Sequence, residues 1–359
     1  MKSKLILVTK EMCGWLIAII SSCFVLNILS FSFYHPAVEI KRSGGATPGL
    51  MIPGGWSLLG FEGYGIQTID DNGYVNPDLP LEKEYYCVVG ASHAEGLHSR
   101  KGERISDYLN IKFGYTDSLK FYNIAHTAYQ FNNIAKHFNG IIQEFPNSKG
   151  IIIELDSTDY SIEQLTDALN QTSYSDTDDT IKYMLERQTF KDKLIADIKN
   201  YLPLIRELSF QYETYKTSKS KRIDDKVYRA SDINVSETLA KDADFLESYQ
   251  NALSTVMQLI RSEYQGPIIV VYHPTTSLDE NGYLLLNSEV TDAIFEEECI
   301  KHDIVFIDMA NKFSEAFYND NIAVYGFWNT TLMTGHINKF CHELMADAVF
   351  DYLKSTGIE

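Results

Sequence analysis

Five short apolar runs punctuate the chain at Tyr85–Val89, Leu119–Ile124, Gly150–Leu155, Pro267–Tyr272 and Ile304–Ile307. Between them lie helical stretches near 103–112, 129–145, 287–301 and 338–354. Runs this short, several rich in Val and Ile, have the pattern of strands buried on both faces. Strands alternating with helices predict an α/β domain, here 84–356, with a parallel sheet and helices on both sides. In such folds the site lies at the carboxyl ends of the strands. The stretch from about 161 to 265 breaks the rhythm: it is mostly helical, passes through the polar segment KTSKSKRIDDKVYRASDINVSE, and returns to helix. It reads as a helical insertion; the same pattern also fits a long crossover with an irregular loop at 216–235.

The N-terminus carries a different pattern. Lys2, Lys4 and Lys10 precede a run from Cys13 to Phe33 with no charged residue. Its length suits the ~20 residues needed to cross a bilayer and exceeds the apolar region of a cleaved signal peptide. The expectation is a cytoplasmic segment 1–12, an uncleaved transmembrane signal anchor at 13–34, and a single-pass cell-membrane protein whose C-terminal domain is extracytoplasmic. The leading lysines favour that orientation, and Lys41 and Arg42 on the far side offset it in part. Residues 35–83, rich in Gly and Pro, read as a juxtamembrane linker and lead-in, with turn residues for a hairpin at Asp71-Asn72-Gly73.

Composition narrows the function classes. The 359-residue chain carries a net charge of −18, which argues against nucleic acid as a partner, since phosphates need Lys and Arg. Five cysteines without CxxC spacing make no disulfide framework and no zinc or iron–sulfur pattern. No metal and no cofactor is expected.

Two segments at opposite ends of the domain carry candidate chemistry. Tyr85–Gly96 (YYCVVGASHAEG) is a buried strand that stops at a Gly-x-Ser turn. A serine placed there presents its hydroxyl and its N–H to the cleft, as a nucleophile requires. Ser92 also suits a helix N-cap. Thr334–Ala346 (TGHINKFCHELMA) places His336 just before the last helix, where an imidazole can serve as a general base near neutral pH. Asp308 is a candidate for the carboxylate that orients it. His93, Asn123, Asp156, His273 and Asn329 are candidates to line the cleft.

The two segments together resemble the first and last blocks of the SGNH (GDSL-like) hydrolases, over roughly Leu81 to the C-terminus. The resemblance implies a three-layer αβα, flavodoxin-like parallel sheet, with Ser92 as nucleophile and His336 as base. It also implies an oxyanion hole from Ser92, Ala125 and Thr158. This chain departs from the family pattern: Ala91 stands where Asp is usual, Ala replaces Gly in the second block, and Asp156-Ser157-Thr158-Asp159 stands for Gly-x-Asn-Asp. Thr334 and Met333 occupy the usual places of the triad Asp. The function expected is a serine esterase or O-acyltransferase on acyl esters of cell-envelope glycans. A catalytically degenerate envelope or scaffold protein on the same fold is the alternative.

The anchor predicts that the full chain stays with membranes through an alkaline carbonate wash while residues 36–359 alone do not; release of the full chain by that wash would contradict a spanning segment.

Overall fold

In a computed structural model of the chain, the structure describes residues 2–31, 34–35, 37, 39–42, 44–60, 62–171, 243–357 and the single positions 202, 204, 205, 208 and 212. They divide into two units, one holding the N-terminal helix and one holding the body from Ala37 to the C-terminus. The helix, α1, spans Lys2–Phe31. Its segment Thr9–Ser30 has a mean hydropathy of 2.2, none of it buried, and is long and apolar enough to cross a membrane.

The body begins with two small antiparallel ladders. One pairs β1 (Glu39–Lys41) with β2 (Gly49–Met51), and the other pairs β3 (Trp56–Leu59) with β4 (Gly65–Thr68). Then follow β5 (Leu81–Val89), α2 (Ser92–Glu95), α3 (Ile105–Lys112), β6 (Leu119–Asn123), α4 (Phe131–Lys136), α5 (Phe138–Glu144) and β7 (Ser148–Leu155). The rest comprises α6 (Ile162–Ala168), α7 (Ala243–Glu263), β8 (Ile268–Tyr272), the hairpin β9–β10 (Thr276–Leu278, Leu284–Leu286), α8 (Asp292–Lys301), β11 (Val305–Asp308), α9 (Ala310–Asp320) and α10 (Lys339–Ser355).

The five apolar runs form one sheet in the order β6-β5-β7-β8-β11, with all four pairings parallel. Numbered by chain position this is 2-1-3-4-5, the flavodoxin-like order, whose switch point lies between β5 and β7. Side-chain alternation sorts the core into two layers. Cys87, Val89, Ile151, Ile153, Ile268 and Val270 face α4 to α8, where Phe131, Phe138, Leu165, Leu253 and Phe295 pack on them. Tyr86, Val88, Ile152, Ile269 and Val271 face α3, α9 and α10, meeting Ile105, Phe313, Met345 and Val349. The expected αβα sandwich is therefore present.

Two expectations change. Residues 243–263, read as part of an insertion, form α7, whose buried stripe Tyr249, Leu253, Val256, Met257 and Ile260 belongs to the sheet core. It is the crossover helix between β7 and β8. Most of the remaining expected insertion, 172–242, lies outside the described residues.

The lead-in, read as a linker, is a packed wall of the domain. Buried Arg42 donates to Thr47 O (2.7 Å) and Tyr74 Oη (2.8 Å) and pairs with Glu144 at the end of α5 (2.9 Å). A buried guanidinium is tolerated only with partners of this kind. The turn expected at Asp71–Gly73 is closed by a single antiparallel bridge, Ile69–Val75, with Asp70 Oδ1 accepting from the N–H groups of Asn72 and Tyr74.

Leu253→Ala should lower unfolding stability by about 2–5 kcal/mol, the cost of a cavity in a packed core. A chemical-denaturation midpoint that does not move would show that this helix is an appended lid rather than part of the sandwich.

Candidate active site

The turn that carries Ser92 is held from beneath by a buried carboxylate. Glu154, near the end of β7, accepts from the N–H of Ala91 (3.0 Å) and Ala94 (3.3 Å) through Oε2. Its Oε1 lies 2.5 Å from His273 Nε2, and His273 Nδ1 lies 2.6 Å from Tyr325 Oη. Because a carboxylate only accepts, Nε2 of His273 carries the proton and Nδ1 takes one from the tyrosine. The approach needs glycine at the strand end: a Cβ on Gly90 would lie 2.3 Å from Glu154 Oε2. From the other side Asn123 Nδ2 donates to Ala94 O (2.9 Å). Ser92 thus begins the one-turn α2 at the carboxyl end of β5, beside the switch point.

His336 stands before α10, whose N-cap Asn338 accepts from Phe340 N–H at 3.0 Å. Its Nε2 lies 3.0 Å from Ser92 Oγ, and its Nδ1 lies 2.7 Å from Glu62 Oε2. Glu62 Oε1 also accepts from the His336 backbone N–H at 2.6 Å. The carboxylate fixes the tautomer: Nδ1–H donates to Glu62, which leaves Nε2 free to accept from the serine hydroxyl. Burial pushes the Glu62 carboxyl up, but the two hydrogen bonds from His336 and the charges of His336 and His98 outweigh it and hold the pKa at about 2.

Glu62 arrives from the loop joining β3 to β4. That hairpin comes close because Gly65 lacks a side chain; a Cβ there would meet Leu97 O at 2.2 Å. Gly63 adopts φ +71°, which favours glycine. Asn329 Oδ1 accepts from Gly63 N–H (2.8 Å) while its Nδ2 donates to Gly60 O (3.1 Å).

Two further imidazoles flank the base. The His98 ring centroid lies 4.1 Å from that of His336, and its Nδ1 lies 3.2 Å from Glu62 O. Burial, with the neighbouring charge of His336, lowers its pKa to about 4 against the opposing pull of Glu62. His93 accepts from Ile337 N–H at Nδ1 (3.3 Å) and faces Asp156 through Nε2 (3.3 Å). Burial raises the Asp156 carboxyl, yet the hydrogen bond and charge of His93 prevail and hold its pKa at about 2. Among the described residues, Glu62, His98 and His336 offer ligand atoms within 4.8 Å of one another.

The structure brings Ser92, His336, His93 and Asp156 together and corrects the rest of the expected set. Thr158 cannot serve an oxyanion: its N–H donates to Glu289 (2.6 Å), its hydroxyl to Asp292 (2.6 Å), and it is fully buried. Ala125 likewise spends its N–H on Asn123 Oδ1 at 2.9 Å. Asn123 and His273 are buried supports of the serine turn rather than cleft walls. Asn329 pins the Glu62 loop, as its hydrogen bonds show. Asp308 accepts from Ala310 N–H at the start of α9 (2.8 Å), and the carboxylate on His336 is Glu62. The missed signal was an acid in a run of turn glycines, Gly60-Phe61-Glu62-Gly63-Tyr64-Gly65. In the second block Ala128 adopts φ 61°, in the left-handed region that favours glycine.

No family model and no curated protein matches the chain. Several solved structures are similar at low level. A Bacillus subtilis protein, YxiM, is 10% identical, with 82% of this chain and 60% of that one covered and a TM-score of 0.37. The psychrotrophic esterase EstA from Pseudoalteromonas is 9% identical over 77% of this chain and 100% of its own, with a TM-score of 0.34. An acetyl xylan esterase is 9% identical over 75% and 99%, with a TM-score of 0.37. This chain thus spans about three-fifths of the first of these.

Acid should weaken the fold through this cluster. Glu62 binds its proton more weakly when folded, so its contribution is complete above about pH 4.5 and is lost as pH falls toward 2; with the pair partly exposed that is roughly 1–2 kcal/mol. His98, also depressed, adds to the loss between about pH 6.5 and 4. Melting temperatures across pH should fall on the acid side, and Glu62→Gln should flatten the lower part of the curve. An unchanged curve in that variant would show that the ion pair does not form.

Proposed function

We propose that the chain is a membrane-anchored serine esterase or acyltransferase of the SGNH type. The observation that carries the reading is the continuous line Ser92 Oγ–His336 Nε2 (3.0 Å) and His336 Nδ1–Glu62 Oε2 (2.7 Å). Nucleophile, base and orienting carboxylate are recognised by such geometry rather than by chain order.

In this reading Ser92 Oγ attacks the acyl carbon as its proton passes to His336 Nε2. Glu62, ionised throughout the working pH range, stabilises the imidazolium. The tetrahedral intermediate collapses when His336 returns the proton to the departing alcohol, leaving an acyl ester on Ser92. Water or an acceptor hydroxyl then gives its proton to His336, attacks the acyl carbon and restores the serine. The Ser92 N–H, in the first turn of α2, has no acceptor within its helix and serves as an oxyanion donor. The helix at Thr9–Ser30 would hold this chemistry at a membrane, where acyl esters of envelope glycans, the soluble domain lying outside, are the substrate class favoured.

One observation favours a second reading, a non-catalytic protein on the same fold. Thr158 and Ala125, the expected oxyanion donors, are both engaged elsewhere, and each lost donor costs about 10²–10³ in rate.

A fluorophosphonate probe separates the two. On the full chain the adduct should form at Ser92, vanish in Ser92→Ala, slow by about 10²–10⁴ in His336→Ala, and slow less in Glu62→Gln. No adduct under conditions that label a known serine esterase would establish the non-catalytic reading.

A further inference from the structure

Beside the base lies a cleft of about 390 Å³ whose lining includes Gly63, next to Glu62, and His98, which stacks on His336. Beyond these, the walls change character. Trp328 stands 79% exposed in the loop before His336, and Tyr64 and Phe340 present partly exposed rings to the same space. Exposed aromatic rings gathered at one cleft, unlike a single ring scattered on the surface, mark a ligand-binding groove. The flat face of Trp328 suits the C–H face of a sugar ring, and its bulk gives the ring one orientation.

The charge of the cleft is the second observation. The chain carries a net −18, yet Arg100 and Lys339 line this cleft together with a single acid, Glu103. Neither cation forms an ion pair among the described residues; Lys339 Nζ rests 5.0 Å over the Phe340 ring. Some basic groups elsewhere in the body are paired, as Lys112 is with Asp347 (2.5 Å) and Lys136 with Asp167 (2.7 Å). Two unmatched cations beside exposed aromatic rings form a local inversion of the molecule's sign. A guanidinium there can take a carboxylate or phosphate in bidentate fashion.

We infer that this cleft binds the alcohol portion of the substrate and that this portion is an anionic sugar, a pyranose bearing a carboxylate or a phosphate. The ring stacks on Trp328 with Tyr64 or Phe340 at its edge, and the anion meets Arg100 and Lys339. Glu103 accepts from ring hydroxyls. The location fits the chemistry, because the departing or accepting hydroxyl must reach His336, and His98, whose ring lies 4.1 Å from that of His336, lines the cleft. The inference rests on the reading of Ser92 and His336 as an acyl-transfer pair, and its test separates the two.

The test is calorimetric titration of the full chain in detergent micelles with methyl β-D-glucuronide, glucose 6-phosphate and the neutral methyl β-D-glucoside. At least one anionic sugar should bind about tenfold more tightly than the neutral one, about 1.4 kcal/mol. Preference for the glucuronide alone identifies a uronic acid, and for the phosphate alone a phosphosugar; either supports the inference. The double variant Arg100→Gln/Lys339→Gln should abolish the preference, and Trp328→Ala should weaken all three sugars about fivefold, each checked for an unchanged far-ultraviolet spectrum. Equal binding of charged and neutral sugars, no binding of any, or a preference that survives the double variant overturns it. Fluorophosphonate labelling of the same samples keeps the outcomes distinct. Labelled Ser92 without anion preference removes the cleft assignment alone. Unlabelled Ser92 with the preference intact removes the acyl-transfer reading and leaves a sugar-binding cleft.

Discussion

A carboxyl group with almost no access to water must find hydrogen-bond donors inside the sandwich, and that requirement organises this molecule around Glu154. Its donors are two backbone amides of the serine turn and the ring of His273, itself tied to Tyr325. The donors come from two places in the chain, the turn after β5 and the end of β8, and Tyr325, in the segment that precedes His336, joins them through the His273 ring. Satisfying one buried carboxyl group therefore brings the carboxyl ends of the central strands into a fixed relation with the loop that carries the imidazole. Gly90 is the steric counterpart of the same constraint, since any side chain there would occupy the space of the carboxylate. Loss of one donor would leave a buried oxygen short of a partner, which is why such networks hold geometry more firmly than apolar contacts do.

The line from Ser92 through His336 to Glu62 is built on that base, but its acid comes from outside the sheet. Met333 and Thr334, shortly before the histidine, are not acids, and the carboxylate comes instead from the loop of a hairpin in the lead-in. This source meets the electrostatic need: a carboxylate faces Nδ1, and a second hydrogen bond from the His336 N–H fixes its plane. It also explains why the lead-in is packed rather than flexible. Arg42, Tyr74 and Glu144 staple its first half to α5, and Asn329 ties the hairpin loop to the segment before His336.

Three imidazoles in contact would repel one another if all were charged. Here His93 and His98 are each committed by hydrogen bonds, one to Asp156 and Ile337, the other to the Glu62 backbone. Burial keeps His98 from protonating, so it does not compete for Glu62 with the positive charge that develops on His336. The same imidazole forms the edge of the aromatic cleft, so the group that quiets the electrostatics of the base also faces the space where an alcohol would sit.

The strands were legible because a parallel sheet buried on both faces demands short apolar runs, and such runs leave few alternatives. Ser92 and His336 were legible because each stands at a boundary between elements, where a polar residue amid Gly and Ala has no packing role. The apolar N-terminal run was equally plain, since lack of charge over such a length is a property of the sequence itself. Glu62 was not legible, as it lies 274 residues from its partner and its flanking glycines read as linker until a hairpin brings their bare backbone against Leu97–Ser99. Thr158 misled for the converse reason: its place after β7 suits an oxyanion donor, and only the approach of Glu289 and Asp292 consumes its donors. Residues 243–263 carried a helical stripe in the sequence, but which surface the stripe covers is set by the sheet. Periodicity and local chemistry determine which segments become strands and helices; the pairing of buried charges and donors distant in sequence is decided only when the chain is folded, because a hydrogen bond depends on distance in space and not along the chain.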